Sequence, residues 1–572
     1  MIDPVIARWA LDRIRRDPQL AAQVSAHVDQ VKLRAKIERS PEAVMRAEPI
    51  TIGTAVLAMI GVTGVSATVA AVVGSAILIG ASIAVNYAVS ALTQKSRGSS
   101  TLDSTSGGEA LLNAPAIKLN ERQAVPAKRI IYGTAQVGGA LFFEQVRPPY
   151  LYMGFLVCAE KITAFRKLWI GTQEIAFSAI TPNTILTPLA VSGQPNYPAR
   201  LRASFRLGAT DQAIDPLLAA DFTNLDSEFR QRGIATAVLR FDYGADFDEY
   251  TALWGQGARP NPLFLVDGIA IPDPRNPAHI LDWDPDDSAS LEAARATWSF
   301  SNNASLIQAH YLTQRYGGRI RPSRLDWEKA AVSADWDDGL IASIDGTYRK
   351  RHTIDGVITL RQAPATVMTG MISANRGLIL QNAGRVWPSS SFPRTPIVTI
   401  YDGILTGPVE YRAAKPKSDL VNRVKLRFVA ADREYQEVDG PVLSRADLIA
   451  SDGELLEAAL DLPFTMDTGG VPRAQRLQKA FLDNARLGRQ LSVTCDVELL
   501  ADCADDLVGG VVVFDSVLFA KANGTYLCLD WSFTDNFASV LLTLVEYSST
   551  IETDFIASAD EQAFELASLD LT

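Results

Sequence analysis

The sequence predicts a multidomain α+β protein, mainly β, with an apolar helical segment near its N-terminus. Three observations predict this. From residue 125 onward, short runs rich in branched and aromatic side chains recur between turn signals. That is the pattern of β-sandwiches and barrels, not of a doubly wound sheet. Helical spacing returns between residues 305 and 374 without ending the strands, which makes that part α+β. Finally, the 46 positions of residues 49–94, between Glu48 and Lys95, carry no formal charge.

Residues 1–48 read as an amphipathic helical arm. Ile6, Trp9, Ala10, Ile14 and Leu20 form one stripe, and Val24, Val28, Val31 and Ala35 continue it on a second helix. Acidic residues share the polar face, which favours a packing or partner-binding arm over a membrane-surface helix.

Residues 49–94 follow as an apolar helical segment. A membrane-spanning helix needs about 20 apolar residues. The segment is long enough to span once with excess, or to fold back as a helical hairpin between Gly61 and Gly64. A helix apolar all round must be enclosed by protein or by lipid. Gly53, Gly61, Gly64, Gly74 and Gly80 allow close helix contact. Ile60, Val69, Ile77, Leu78 and Ile83 each gain roughly 1.5 to 3 kcal/mol on full burial. With Ala71 and Ile79 they make up the candidate plug or membrane-active set. Residues 95–122 are a polar, Gly/Ser-rich linker.

The strands begin in residues 129–143, where alternation breaks at glycines and resumes. Residues 150–159, 164–170, 205–207, 236–243 and 263–266 continue the series, and Asp267-Gly268 is a turn signal. These runs make residues 123–300 a β-rich region. Residues 301–390 form the α+β part, with helices expected at 305–315, 325–333 and 365–374. Val367, Met371 and Ile372 of the third face inward, and a hairpin turns at Asn382-Ala383-Gly384. Residues 391–555 return to β around a long helix at 472–488, which has Pro at its start and Gly at its end. Residues 556–572 are an acidic tail.

Composition excludes several classes. At 572 residues the chain holds several domains. A net charge of −11 argues against general nucleic-acid binding, which calls for a basic face. Cys158, Cys495, Cys503 and Cys528 are too sparse for a disulfide framework and read as buried thiols. No signal-peptide pattern opens the chain, so cytoplasmic assembly is expected.

Chemistry-bearing motifs are equally sparse. Asp282, Asp284, Asp286 and Asp287 lack an EF-hand's glycine and terminal glutamate, so a solvated acidic loop is expected. The same holds for Asp335, Asp337 and Asp338 around Trp336. His27, His279, His310 and His352 show no zinc spacing, and His310 reads as a packed core residue. No GxSxG elbow or catalytic-cysteine signature occurs, and Gly133 to Gly139 lacks a phosphate-loop lysine. Asp242 with Asp246, and Asp248 with Glu249, are carboxylate pairs of the kind that cut glycans, although surface aspartates are far commoner. No catalytic residue, cofactor or metal is expected, and the chain is expected not to be an enzyme.

The order of several stretches resembles a known family. They are QAVPAKRIIYGTAQVGG at 123–139, DQAIDPLL at 211–218, RGIA at 232–235 and DGIAIPDPR at 267–275. LTQRYG at 312–317, IDGVI at 354–358 and LLTLVEY at 541–547 complete the set. Together they resemble the central tail-tip hub proteins, or tip attachment proteins, of lambda-like bacteriophages with long non-contractile tails. The likeness covers roughly residues 115–550.

The resemblance implies a homotrimeric virion hub of β-barrel-like and α+β domains. Such a hub closes the tail tube and opens for genome ejection. Implied partners are the distal tail protein ring, the tape measure protein, other tail-tip or fibre proteins, and the host membrane during entry. DNA passes through without specific binding. The lambda-like relatives continue into fibre domains where this chain stops, which puts receptor binding by this chain in doubt. A pore-forming or membrane-translocating protein outside any phage, and a tail-associated wall hydrolase, are the alternative readings.

Overall fold

The computed structural model describes Asn120 and residues 126–551, apart from 245–246, 255–258, 343–347, 468–472 and 535–536. The expected helical arm, the apolar segment and the acidic tail lie outside the described residues.

Strand formation starts where branched and aromatic residues concentrate. The first strands are β1 (Arg129–Tyr132), β2 (Thr134–Val137), β3 (Ala140–Arg147), β4 (Tyr150–Cys158), β5 (Ile162–Ile170), β6 (Gln173–Ile175) and β7 (Ile185–Leu186). The short helix α1 (Tyr197–Arg200) leads into β8 (Leu201–Arg206), and α2 (Pro216–Asp221) precedes β9 (Ala235–Asp242). Asp215 caps α2 by accepting from Leu217 N and Leu218 N. Then come α3 (Phe247–Trp254), β10 (Pro262–Ile271), α4 (Ser288–Arg295) and β11 (Ser299–Phe300).

Two sheets result, one ordered β3-β4-β9-β8-β7 and the other β11-β10-β5-β6, with β2 also pairing β10. Their inner faces meet through Phe155 against Phe264 and Phe165 against Phe205, with ring centroids 6.0 and 4.8 Å apart. This is the expected sandwich chemistry.

The expected turn at Asp267-Gly268 is not there. β10 runs straight through both residues, paired with β5 and β2. Gly268 answers a different need: a Cβ would collide with the Ile131 carbonyl oxygen of β1. Asp267 is buried and accepts from Arg166 Nε (2.6 Å) and Thr134 Oγ1 (3.0 Å). A turn-like dipeptide here serves close backbone approach.

Helix α5 (Ala304–Thr313) packs beneath the sandwich, and all ten of its residues are buried. Asn303 caps it, accepting from Leu306 N at 3.1 Å. Around it lie α6 (Trp327–Asp338), the hairpin of β12 (Leu340–Ala342) and β13 (Tyr348–Lys350), and β14 (Gly356–Thr359), which pairs antiparallel with β1. Helix α7 (Pro364–Ser373) buries Val367, Met371 and Ile372, as expected. β15 (Leu378–Asn382) and β16 (Arg385–Ser389) form the expected hairpin. Ala383 and Gly384 take positive φ at its turn.

A second body begins with β17 (Pro396–Ile400) and β18 (Leu405–Arg412). The chain then leaves it to build β19 (Arg423–Ala430), β20 (Gln436–Asp439), β21 (Leu443–Ser444), α8 (Ala446–Asp452), β22 (Glu457–Asp467) and α9 (Arg473–Arg486). In this inserted module β22 lies parallel to β19, and α9 covers the sheet with Ala474, Leu477, Leu482 and Ala485.

The chain returns as β23 (Gln490–Asp496), α10 (Leu500–Cys503), β24 (Val511–Phe514), β25 (Gly524–Thr534) and β26 (Ser539–Glu546). The six-stranded order is β17-β24-β25-β26-β23-β18. Its two edge strands are consecutive in sequence. Flat, they would lie about 24 Å apart at the usual strand spacing. The five-residue step from Ile400 to Leu405 reaches about 18 Å at most. The sheet therefore curls around its own core, which includes Ile400, Val493, Cys495, Phe514, Tyr526, Cys528 and Leu542.

Phe464 joins the inserted module to the first body. Its ring enters a slot between β14 and α7, where Cβ atoms at Gly356 and Gly370 would lie 2.7 and 3.0 Å from it. Arg473, also buried, donates to Lys350 O (2.7 Å), Thr353 Oγ1 (3.0 Å) and Met466 O (2.9 Å). Phe464→Ala should lower stability by roughly 3 to 5 kcal/mol, the range for emptying a buried aromatic site. Urea denaturation followed by tryptophan fluorescence measures it, and an unchanged midpoint contradicts the slot's role.

Candidate functional site

The twelve candidate plug residues, from Gly53 to Ile83, lie outside the described residues. The other groups that sequence singled out are placed by the fold.

Asp337 departs most from expectation. It belongs to no solvated loop. It lies in the last turn of α6, fully buried, and accepts from Ser305 N (2.9 Å), Ser305 Oγ (2.6 Å), Ser390 Oγ (2.6 Å) and His352 Nδ1 (2.8 Å). Serine, histidine and aspartate thus meet, but in the wrong order for nucleophile activation. In a catalytic triad the imidazole stands between carboxylate and hydroxyl. Here the carboxylate is central and takes both hydroxyl protons, which satisfies a buried charge and ties α5, α6 and the end of β16 together.

Asp335 and Asp338 bind Arg275 at 3.0 and 2.8 Å, so they too are structural partners. Asp284 and Asp287 accept from Asp286 N and Ala289 N, the second capping α4. Asp286 pairs with Arg315 at 2.7 Å in solvent. No group of three ligating side chains suited to a metal occurs among the described residues. Arg200 bridges Asp242 (3.1 Å) and Glu249, and Asp246 lies outside the described residues. All four cysteines are buried and none forms a disulfide. Burial pushes the Cys158, Cys495 and Cys528 thiols up to about 12.

His310 is a core residue, as expected. Its Nε2 meets Gln314 Nε2 at 3.0 Å and its Nδ1 meets the Tyr132 hydroxyl at 2.9 Å. With the Gln314 amide donating, the ring proton sits on Nδ1 and Tyr132 accepts it. Tyr132 can then donate to Tyr316 Oη at 3.3 Å. Burial, aided by nearby Arg295, holds the His310 pKa well below its ordinary value.

A surface that sequence reading missed lies on the curled sheet. Residues 515–519, between β24 and β25, expose Val517 (89%), Leu518 (76%) and part of Phe519. The loop is firmly held. Asp402 accepts from Ser516 Oγ and from Val517 N (2.9 Å), Asn523 Oδ1 accepts from Ser516 N (2.9 Å), and Phe519 N donates to Ser516 Oγ (2.8 Å).

The β25–β26 hairpin carries a second apolar group. Trp531, Phe533 and Phe537 follow one another with centroids 5.1 and 5.0 Å apart, and Phe537 is 67% exposed. Its φ of 70° is unusual for a bulky side chain. Asp402, in the turn between β17 and β18, holds the loop, and Thr406 Oγ1 of β18 meets Ser539 Oγ at 2.9 Å at the start of β26. Exposed Tyr401 lies in that turn. In sequence, V-L-F at 517–519 merely prolongs the apolar run of β24, so nothing marked it as surface.

These features define a multi-body, mainly β, α+β fold. A chain of the virion of a native gene transfer agent particle has this fold. The likeness spans 87% of this chain and 100% of that one, with a TM-score of 0.52 and 16% identity. The 43 kDa tail protein of prophage MuSo2 from Shewanella oneidensis matches over 75% and 96% of the two chains (TM-score 0.26, 11% identity). A tail protein from Neisseria meningitidis MC58 matches over 76% and 97% (TM-score 0.27, 8% identity). No family model and no curated protein matches the chain.

His310 sets an acid limit on stability. The unfolded histidine titrates near about 6.5. Below that pH the unfolded chain takes up a proton that folded His310 refuses, so stability falls as pH falls, by up to about 1.4 kcal/mol per pH unit. Urea midpoints between pH 7 and 5 should show this slope. His310→Gln should reduce it by about one proton, and an unchanged slope assigns the acid sensitivity elsewhere.

Proposed function

We propose that the chain is a structural virion protein forming the trimeric hub at the tip of a phage tail. The supporting observation is the shared fold with a gene transfer agent virion chain, which holds over the whole of that chain. The motif order in residues 115–550 points the same way, and it supplies the trimer and the tip position. In this reading the hub closes the tail tube and meets the distal tail protein ring, the tape measure protein and other tip or fibre proteins. The reading assigns no catalysis and no cofactor to the chain.

The apolar segment acts as the plug. Three copies meeting on the ring axis hide one another, and glycines at 53, 61, 64, 74 and 80 permit that contact. On host contact the plug leaves the ring and enters the bilayer, where lipid replaces the lost protein contacts. The acidic excess gives the channel a wall that does not hold DNA.

Gold labelling of this chain in intact particles tests the position. Label at the tail end distal to the capsid is expected, and label on the capsid or along the tube contradicts the reading. Ala71→Glu and Ile79→Lys, made singly, test membrane entry. Particles should assemble but lose genome delivery by at least tenfold, whereas normal delivery by either variant rules membrane entry out.

A further inference from the structure

We infer that Arg206 and Asp215, buried between β8 and α2, are joined through an internal site for water, which Ser204 and Thr236 complete. The inference does not depend on the hub reading.

The site is set by strand order. Ser204 and Arg206 are two residues apart on β8 and share one face of the sheet. Thr236 of β9 lies directly opposite Arg206 in the antiparallel register, so it shares that face. Helix α2 covers it: Leu217 and Leu218 cluster with Tyr152 and with Val238, which stands opposite Ser204. Asp215, just before α2, thus comes down beside Ser204 and Arg206. Burial pushes its carboxyl above the ordinary range, and Leu218 N, Ser204, Leu217 N and Arg206 draw it back.

Ser204, Arg206, Asp215 and Thr236 are each 1% exposed or less. Five of their polar atoms have no protein partner: Arg206 Nε and Nη1, Asp215 Oδ2, Ser204 Oγ and Thr236 Oγ1. Arginine keeps its charge when buried, and buried polar atoms are costly to leave unpaired.

The two charged groups are held short of each other. Asp215 Oδ1 accepts from Leu217 N (2.9 Å) and Leu218 N (3.3 Å), which fixes the carboxylate. Arg206 Nη2 donates to Arg230 O. The far end of α2 shows the other solution, because there Arg240 reaches Asp221 directly at 3.0 Å. At the near end Asp215 Oδ2 and two guanidinium nitrogens still need a partner.

Charge chooses that partner. The site already holds one cation and one anion. A second anion would be repelled by Asp215 and a second cation by Arg206, strongly so in a low-dielectric interior. A small neutral molecule that both donates and accepts suits every atom. An internal water makes about three hydrogen bonds, so five atoms call for about two waters.

Two of the stretches that sequence singled out build this site. Gln212 and Asp215 belong to DQAIDPLL at 211–218, and Gln212 donates to Ile234 O (3.1 Å) within RGIA at 232–235. The water site ties the covering segment, residues 207–234, to the sheet near the point where Gln212 closes it.

Thr236→Val in the full-length chain tests this through the sign of its effect. A hydroxyl without any partner is a burden, and a methyl in its place raises stability. A hydroxyl bonded to water contributes, and its loss lowers stability. The urea midpoint should therefore fall, and an unchanged or raised midpoint overturns the inference. Crystals of the full-length chain supply the second measurement. Density is expected within hydrogen-bonding distance of both Arg206 Nη1 and Asp215 Oδ2, without anomalous signal there after a sodium bromide soak. An anomalous peak assigns the site to an anion and overturns the inference. So does direct contact between Arg206 and Asp215 with no density between them.

Discussion

Everything in the first body depends on enclosing α5. A helix with ten buried residues must find partners for each polar side chain it carries, since an unpaired buried group costs about 1 to 3 kcal/mol. Ser305 gives its amide and hydroxyl protons to Asp337. Gln308 donates to Met371 O and Asn375 Oδ1 at 3.0 Å each. His310 meets Tyr132 through Nδ1 and, through Nε2, Gln314 just beyond the helix. Together these bonds reach α6, α7 and β1, and Ser305 Oγ also meets Ser390 Oγ at 3.0 Å, so satisfying one helix fixes the positions of all three and of the end of β16. The two sheets above then have a defined floor on which to pack.

This arrangement also accounts for the partners of the titratable residues of the first body. Asp337, His352, Ser305 and Ser390 are consumed by one another. Arg275 gathers three carboxylates, those of Asp273, Asp335 and Asp338. Polar side chains in this fold connect elements. The two most exposed large apolar side chains among the described residues, Val517 and Leu518, lie on a loop of the second body whose backbone is held by Asp402 and Asn523.

Elements governed by local spacing were legible in the sequence. Tyr150–Cys158 and Ile162–Ile170 are strands because branched and aromatic side chains fit a buried pleated surface. The β15–β16 turn was legible because Asn382-Ala383-Gly384 places a glycine, which takes positive φ freely, between two apolar runs. The failures share a cause: each depended on something distant in sequence. Asp267-Gly268 reads as a turn until Ile131 is brought against it. Asp337 reads as solvated until Ser305 and Ser390 arrive from other elements. Gly356 and Gly370 carry no signal until Phe464, roughly a hundred residues on, fills the slot between them. The apolar loop at 517–519 was hidden for the opposite reason, because its residues look like core.

The curled sheet is made from two lengths of chain with a complete module between them. β17 and β18 are synthesised early, yet β17 pairs only with β24 and β18 only with β23. The bond from Ser516 to Asp402 closes a gap of 114 residues. Contacts so far apart in sequence form late, because loop closure must precede them. The shape of the 515–519 loop therefore reports that the last strands have found the first. A chain still emerging from the ribosome, or one whose inserted module has misfolded, cannot display that loop in its final form. The topology makes this part of the surface a certificate of completion: only a finished molecule can present it.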